Sequence, residues 1–243
     1  MPLCALLLPL LVRGVPPSLV DLGKKYGVEI EVASGAFTKE GYHYTLSGTA
    51  PTDAEMEKYA TLFVKEWSLY PPSLMKKAKV VRIFFCDGLK VGDQIRAACP
   101  SFDMDTMFYD PALGSYNSGF QRSVIHHEFF HMIDERMGLM NPDREWSDLN
   151  PSTFKYGDGG KNMRTAGVGK LTSDIPGFLT LYGTSAVEED KAELFAHLIV
   201  DPSFVSDRIA KDSVVSTKAV LLKKRLAGFD PAMGDSFWGQ IKG

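Results

Sequence analysis

Histidine and cysteine are scarce in this chain, with five and three among 243 residues. So few cysteines exclude a disulfide-dense scaffold. Neither Cys86 nor Cys99 has a Cys or His partner at the short spacing of a zinc finger. Charge is nearly balanced, with a formal net −3 at pH 7 and no basic stripe, which argues against a nucleic-acid partner. No apolar run reaches the ~20 residues that cross a bilayer, so no stable membrane span is expected. Internal repeats and low-complexity tracts are missing too. At 44% hydrophobic residues, the composition suits one globular unit with its own core.

Against that scarcity, three of the five histidines fall within six residues, in the run RSVIHHEFFHMIDERMG. Residues 127–131 read His-Glu-Phe-Phe-His, the HExxH pattern of zinc-dependent hydrolases. On a helix, His127 and His131 are one turn apart and project from the same face, so both imidazoles can reach one metal ion. Glu128 lies beside them, where a carboxylate can take a proton from an activated water. Asn117 or Ser118 can cap the start of this helix, and Gly138 can supply the left-handed residue past its end. Apolar residues from Phe120 to Ile133 run around much of its circumference, as in a helix crossing a domain interior. His126 has Phe130 four residues on, so it reads as a packing or supporting residue.

Two histidines hold zinc poorly, and a catalytic site needs a third protein ligand and an open position. The metzincin extension is excluded, because Asp134 and Met137 stand where its Gly and His would be. Asp134 is expected to hydrogen-bond a ligand histidine or the following loop. The better source of a third ligand is LYGTSAVEEDKAELFAHLIVD, residues 181–201. Ser185 with Glu188 has the spacing of a capping box. Glu189, Glu193 and His197 then recur every four residues on one face. Apolar neighbours bury that face, and buried carboxylates need a cation or hydrogen-bond partners. Zinc would serve one of them and a ligand histidine the next.

HEFFHMID followed by YGTSAVEEDKAELFA resembles the gluzincin metallopeptidases of the anthrax lethal factor and Mlc titration factor type. It is closer still to a group of zinc-binding metallopeptidases often found as bacterial secreted proteins. The resemblance covers roughly residues 120–201. In that group a Tyr precedes the ligand Glu by seven residues, as Tyr182 precedes Glu189, and the Glu opens an E-x-x-A-E pattern, matched by Glu189, Ala192 and Glu193. The resemblance implies one Zn²⁺ held by His127, His131 and Glu189, with Glu128 as general base. It also implies Glu193 behind the histidines and Tyr182 facing the reacting carbonyl. A peptide or protein substrate follows. Where that group has a phenylalanine pair after the ligand Glu, this chain has Asp190-Lys191.

The expected fold is α+β and zincin-like, with a small twisted, mostly antiparallel sheet, an active-site helix and a following helical subdomain. Residues 28–32 and 80–86 read as strands, as do 94–98 and 106–110, with turns at Asp87-Gly88 and Cys99-Pro100. In the resembled group the last such strand edges the cleft, and the resemblance implies that place for the run 106–110, either as an ordinary sheet edge or as one to which an extended peptide can add as a strand. Thr52 and Glu55 open a helix by a capping box, and its stripe from Met56 to Tyr70 is core. Five glycines among residues 157–170 mark a loop that is either a lid or a plain insertion. After residue 202 the pattern is helical, ending at Gly228, with Lys223-Lys224-Arg225 as a solvated face.

One domain is expected over residues 26–243. Its part 26–138 carries the sheet and active-site helix, and 139–243 carries the loop and third ligand. Residues 1–25 form an N-terminal segment. MPLCALLLPLLVRG has an apolar core of signal-peptide length without a charged n-region or A-x-A site, so a signal and a buried element are equal readings. Removing the start would leave Cys86 and Cys99 as an even pair, which points to a secreted or extracytoplasmic protein. Two other functions fit the same motif: a non-catalytic zinc-containing binding module, and a zinc hydrolase of a non-peptide amide. Glu128 speaks against the first, since a structural site needs no such carboxylate.

Overall fold

The computed structural model describes residues 15–157, 159 and 167–241. The chain begins with α1 (Pro17–Tyr26), β1 (Glu29–Val32), β2 (Phe37–Glu40), β3 (Thr45–Thr49), α2 (Asp53–Trp67) and α3 (Pro72–Lys77). Five strands follow: β4 (Arg82–Phe85), β5 (Asp87–Val91), β6 (Gln94–Ile95), β7 (Ala98–Ser101) and β8 (Thr106–Tyr109). The rest is helical, with α4 (Ser118–Met137), α5 (Arg144–Ser147), α6 (Val187–Val200), α7 (Pro202–Lys211), α8 (Ser213–Phe229) and α9 (Asp235–Gln240). A 3₁₀ turn at Tyr182–Thr184 leads into α6. Among the described residues, no helix is long and apolar enough to cross a membrane.

The strands form two sheets, where a single mostly antiparallel one was expected. The sheet next to the helices has the order β1-β4-β8-β7; its β1–β4 and β4–β8 pairs are parallel and only β7–β8 is antiparallel. The second sheet, β2-β3-β5-β6, is antiparallel throughout. Both faces of β4 and β8 are covered, which explains their consecutive apolar residues. Ile83, Phe85, Met107 and Tyr109 join the main core with the helices, while Phe84 and Phe108 pack with Leu46, Cys86 and Leu89 under the second sheet.

Two strand assignments need correction. The run 106–109 is an interior strand, and the edge beside the cleft is β7. Cys99-Pro100 lies within β7 and is no turn; an edge strand tolerates Pro because the missing N–H has no ladder partner to lose. The chain also passes from β4 into β5 after Cys86, changing sheets where a turn was expected. Cys86 and Cys99 are free thiols. Burial, with nearby carboxylates, pushes each up to about 12.

The helix readings hold better. Thr52 and Glu55 form both hydrogen bonds of a capping box on α2, and its stripe Met56, Tyr59, Phe63 and Trp67 is buried. Leu19, Leu22 and Tyr26 of α1 enter the same core, so the folded unit takes in residues 17–25 as well. The candidate signal core at the start lies outside the described residues, as does most of the glycine-rich loop. The last long helix runs through Gly228 to Phe229 and stops on Asp230. Arg225 is no solvated face: it grips Asp143 at 2.7 and 3.0 Å and ties α8 to the segment before α5.

Candidate metal centre

Local sequence fixes the two helices that meet here. Asn117 Oδ1 accepts from the Phe120 N–H at 3.1 Å to start α4, and Gly138 ends it at φ 71°. The Tyr109 hydroxyl donates to the Ile125 carbonyl at 3.2 Å, pinning α4 to the sheet. On the far side, His126 is buried between Tyr70 Oη at 2.6 Å and Glu66 Oε2 at 3.0 Å. Burial lowers its pKa against the pull of Glu66, so it stays neutral: Nε2–H donates to Glu66 and Nδ1 accepts from Tyr70. Its rings and bonds face away from its neighbour in sequence, which leaves His127 and His131 on the cleft side. No side-chain cap starts α6; its N-cap is Ala186, so the Ser185–Glu188 capping box is not formed. Ser185 instead closes the preceding 3₁₀ turn.

Helices α4 and α6 bring His127, His131 and Glu189 together, with one ligand atom from each within 4.8 Å of the others. His127 Nε2 is 2.9 Å from Glu189 Oε2 and 3.2 Å from His131 Nε2, and His131 Nε2 is 3.4 Å from Glu189 Oε2. Zinc bonds of ~2.0–2.1 Å place tetrahedral ligands about 3.3 Å apart. The three separations bracket that value, and two imidazole nitrogens with one carboxylate oxygen are a donor set that zinc takes. These residues therefore fit the metal. Burial would raise the Glu189 pKa, but the two imidazoles hold it far below the usual carboxylate range. Burial would lower that of His127, but Glu189 and Glu193 hold it well above the usual imidazole range.

Behind the triad, Glu193 Oε1 takes the His127 Nδ1–H at 2.9 Å, and its Oε2 accepts from Thr180 Oγ1 at 2.7 Å. Thr180 in turn accepts the Gly183 N–H at 3.1 Å, which fixes the 3₁₀ turn carrying Tyr182. The ring centroid of Tyr182 is 5.8 Å from that of His127. Burial and the nearby charges of Glu189 and Glu128 push its hydroxyl well up, so it stays protonated and able to donate. Glu128 is half-buried beside the triad, and its pKa is raised by that burial against the two histidines.

Asp134 is buried, but its partner is not a histidine. Lys191 Nζ is 2.6 Å from Asp134 Oδ2 and 3.2 Å from Asp143 Oδ2. Asp190 faces the other way, taking Lys218 Nζ at 2.8 Å, Trp146 Nε1 at 2.8 Å and Tyr156 Oη at 2.6 Å. The polar pair after Glu189 thus has buried counterions of its own, Lys218 for Asp190 and both Asp134 and Asp143 for Lys191. Thr180, Lys191 and the Glu66–Tyr70 support of His126 were missed in the sequence, because a lone buried lysine or threonine carries no periodic signal.

His127 of the triad lines a cleft of about 710 Å³, whose lining also includes Glu128, Tyr182, Arg96 and Ala98 at the start of β7. A buried donor set at the wall of an open cleft can hold a Lewis-acidic ion in contact with a bound molecule.

No protein-family model matches the chain, and no curated protein matches it. The structure is similar to the crystal structure of a putative zinc-binding metallo-peptidase from Bacteroides caccae, with a TM-score of 0.56 and 17% identity over 92% of this chain and 88% of that one. At that identity the likeness speaks for the fold alone, a mixed α+β arrangement of small sheets and helices.

Proposed function

We propose that the protein is a zinc-dependent metallopeptidase, holding one Zn²⁺ through His127, His131 and Glu189 and cleaving peptide bonds in the cleft. The observation that carries this reading is the meeting of the three donors at tetrahedral-edge separations with Glu128 beside them. When bound, zinc supplies a Lewis acid that lowers the pKa of a water towards about 7 and polarises a carbonyl. Glu128 takes the proton from the attacking water and passes one to the leaving amine. The Tyr182 hydroxyl donates to the oxygen on which negative charge develops. Glu193 holds His127 in the tautomer that leaves Nε2 free as a ligand.

The test is stoichiometry joined to activity. Purified protein carries one zinc per chain, His131→Ala loses it, and Glu128→Gln keeps it while peptide hydrolysis disappears. A Glu128→Gln variant that cleaves as fast as the parent contradicts the assigned base. Zinc bound without hydrolysis of any peptide in a broad library would favour a binding module or a non-peptide amide as substrate.

A further inference from the structure

Arg96 stands between β6 and β7, next to the edge strand, and lines the same cleft as His127, Glu128 and Tyr182. Its backbone N–H donates to the Leu89 carbonyl at 2.9 Å, and its Nη2 donates to Gln94 Oε1 at 2.9 Å. Those contacts hold the residue in place. Among the described residues its guanidinium makes no further side-chain hydrogen bond and no ion pair, although Glu128 lines the same cleft. A guanidinium carries five N–H donors in a planar fork that matches a carboxylate. Most of that fork is unused. The lining Arg96 shares with His127, Glu128 and Tyr182 puts it on the reacting side of the cleft. Among the described residues, the other Lys or Arg lining the cleft is Lys170, which is exposed.

We propose that Arg96 is a specificity-determining residue that binds a carboxylate of the substrate close to the bond cleaved. This rests on the peptidase reading above. A cation beside the general base must not pair with it, or the base would be neutralised. Arg96 meets that condition: it lines the same cleft as Glu128 and forms no ion pair with it. A substrate carboxylate can come from an Asp or Glu side chain or from the chain's C-terminus, and the fork serves either. Charge-assisted hydrogen bonds of this kind are worth roughly 10- to 100-fold in selection.

A mixed-sequence peptide pool, made once with free C-terminal acids and once with C-terminal amides, is digested by the zinc-loaded protein and by Arg96→Gln, and the products are read by mass spectrometry. Enrichment of Asp or Glu at one fixed offset from the cut in both pools identifies a side-chain carboxylate. Cuts at a fixed distance from the end in the acid pool alone identify the C-terminus. Either preference is expected at roughly 10- to 100-fold in the parent and near onefold in Arg96→Gln, with Arg96→Lys between them. No preference in the parent, or the same preference in Arg96→Gln, overturns the proposal. If the parent cuts nothing, the peptidase reading fails separately. Binding to zinc-loaded Glu128→Gln then decides, using an Asp/Glu-rich acid pool against its Asn/Gln amide counterpart. A tenfold or greater Arg96-dependent preference upholds the carboxylate site, and equal binding overturns it.

Discussion

Lys191 Nζ lies 2.6 Å from Asp134 Oδ2, and both side chains are buried. Lys191 is two residues past Glu189 on α6, and Asp134 is three residues past His131 on α4. The ion pair therefore clamps the two helices beside the donors they present. Replacing Lys191 by Met strands a carboxylate in the core, and loss of one partner of such a pair typically costs about 3–5 kcal/mol. Denaturant unfolding of the apo protein reads that loss as a lower midpoint at unchanged slope. Zinc titration reads a weaker affinity, because α6 is then free to shift against α4.

Glu193 bonds the Nδ1–H of His127 at 2.9 Å. Its replacement by Ala removes the group that fixes the ring and its tautomer. Losses of such partners typically weaken a metal site by about 10- to 100-fold. Competition with a chromophoric chelator measures the change. An unaltered zinc affinity would assign Glu193 to packing alone.

Tyr182→Phe keeps the ring beside His127 and removes only the hydroxyl. If that hydroxyl donates in the transition state, kcat falls about 10²- to 10³-fold while zinc content stays at one and KM moves little. A variant with the parent's kcat would leave Tyr182 as a wall of the cleft.

The acid limb of stability has a named contributor. Burial alone would raise the Glu66 pKa, but hydrogen bonds from His126 and Arg122 hold it below the ordinary carboxylate value of 4.5. A folded-state pKa below the unfolded one means stability that is present above the unfolded value and is lost as pH falls through the folded one. Apo Glu66→Gln is therefore less stable than the parent near neutrality, and its stability falls less steeply below about pH 4.5. Urea midpoints measured from pH 7 down to pH 3 check both slopes.

The helices, and the meeting of α4 with the segment after Tyr182, were the legible parts, the first from local signals and the second from the resemblance. HExxH lies on a helix whose caps, Asn117 and Gly138, are in the sequence, and the seven-residue spacing from Tyr182 to Glu189 brought the second segment to the same place. Sheet order was not legible. The pairs β1–β4 and β4–β8 are parallel and join strands separated by whole helices or hairpins, so nothing near Thr106 records that it lies inside the sheet. Ser185 and Glu188 have capping spacing, but the 3₁₀ turn delays the helix by one residue, to an N-cap at Ala186. Asp190, Lys191 and Arg225 look like solvent-facing charges in one dimension. Their partners Lys218, Asp134 and Asp143 come from other helices and loops, and only folding brings them together.

Anomalous diffraction at the zinc edge, on crystals of zinc-loaded protein, tests the central claim most directly. One peak is expected about 2.0–2.2 Å from His127 Nε2, His131 Nε2 and a Glu189 carboxylate oxygen, with no fourth protein ligand. A peak away from these three, or a site closed by a fourth side chain, would contradict the catalytic account.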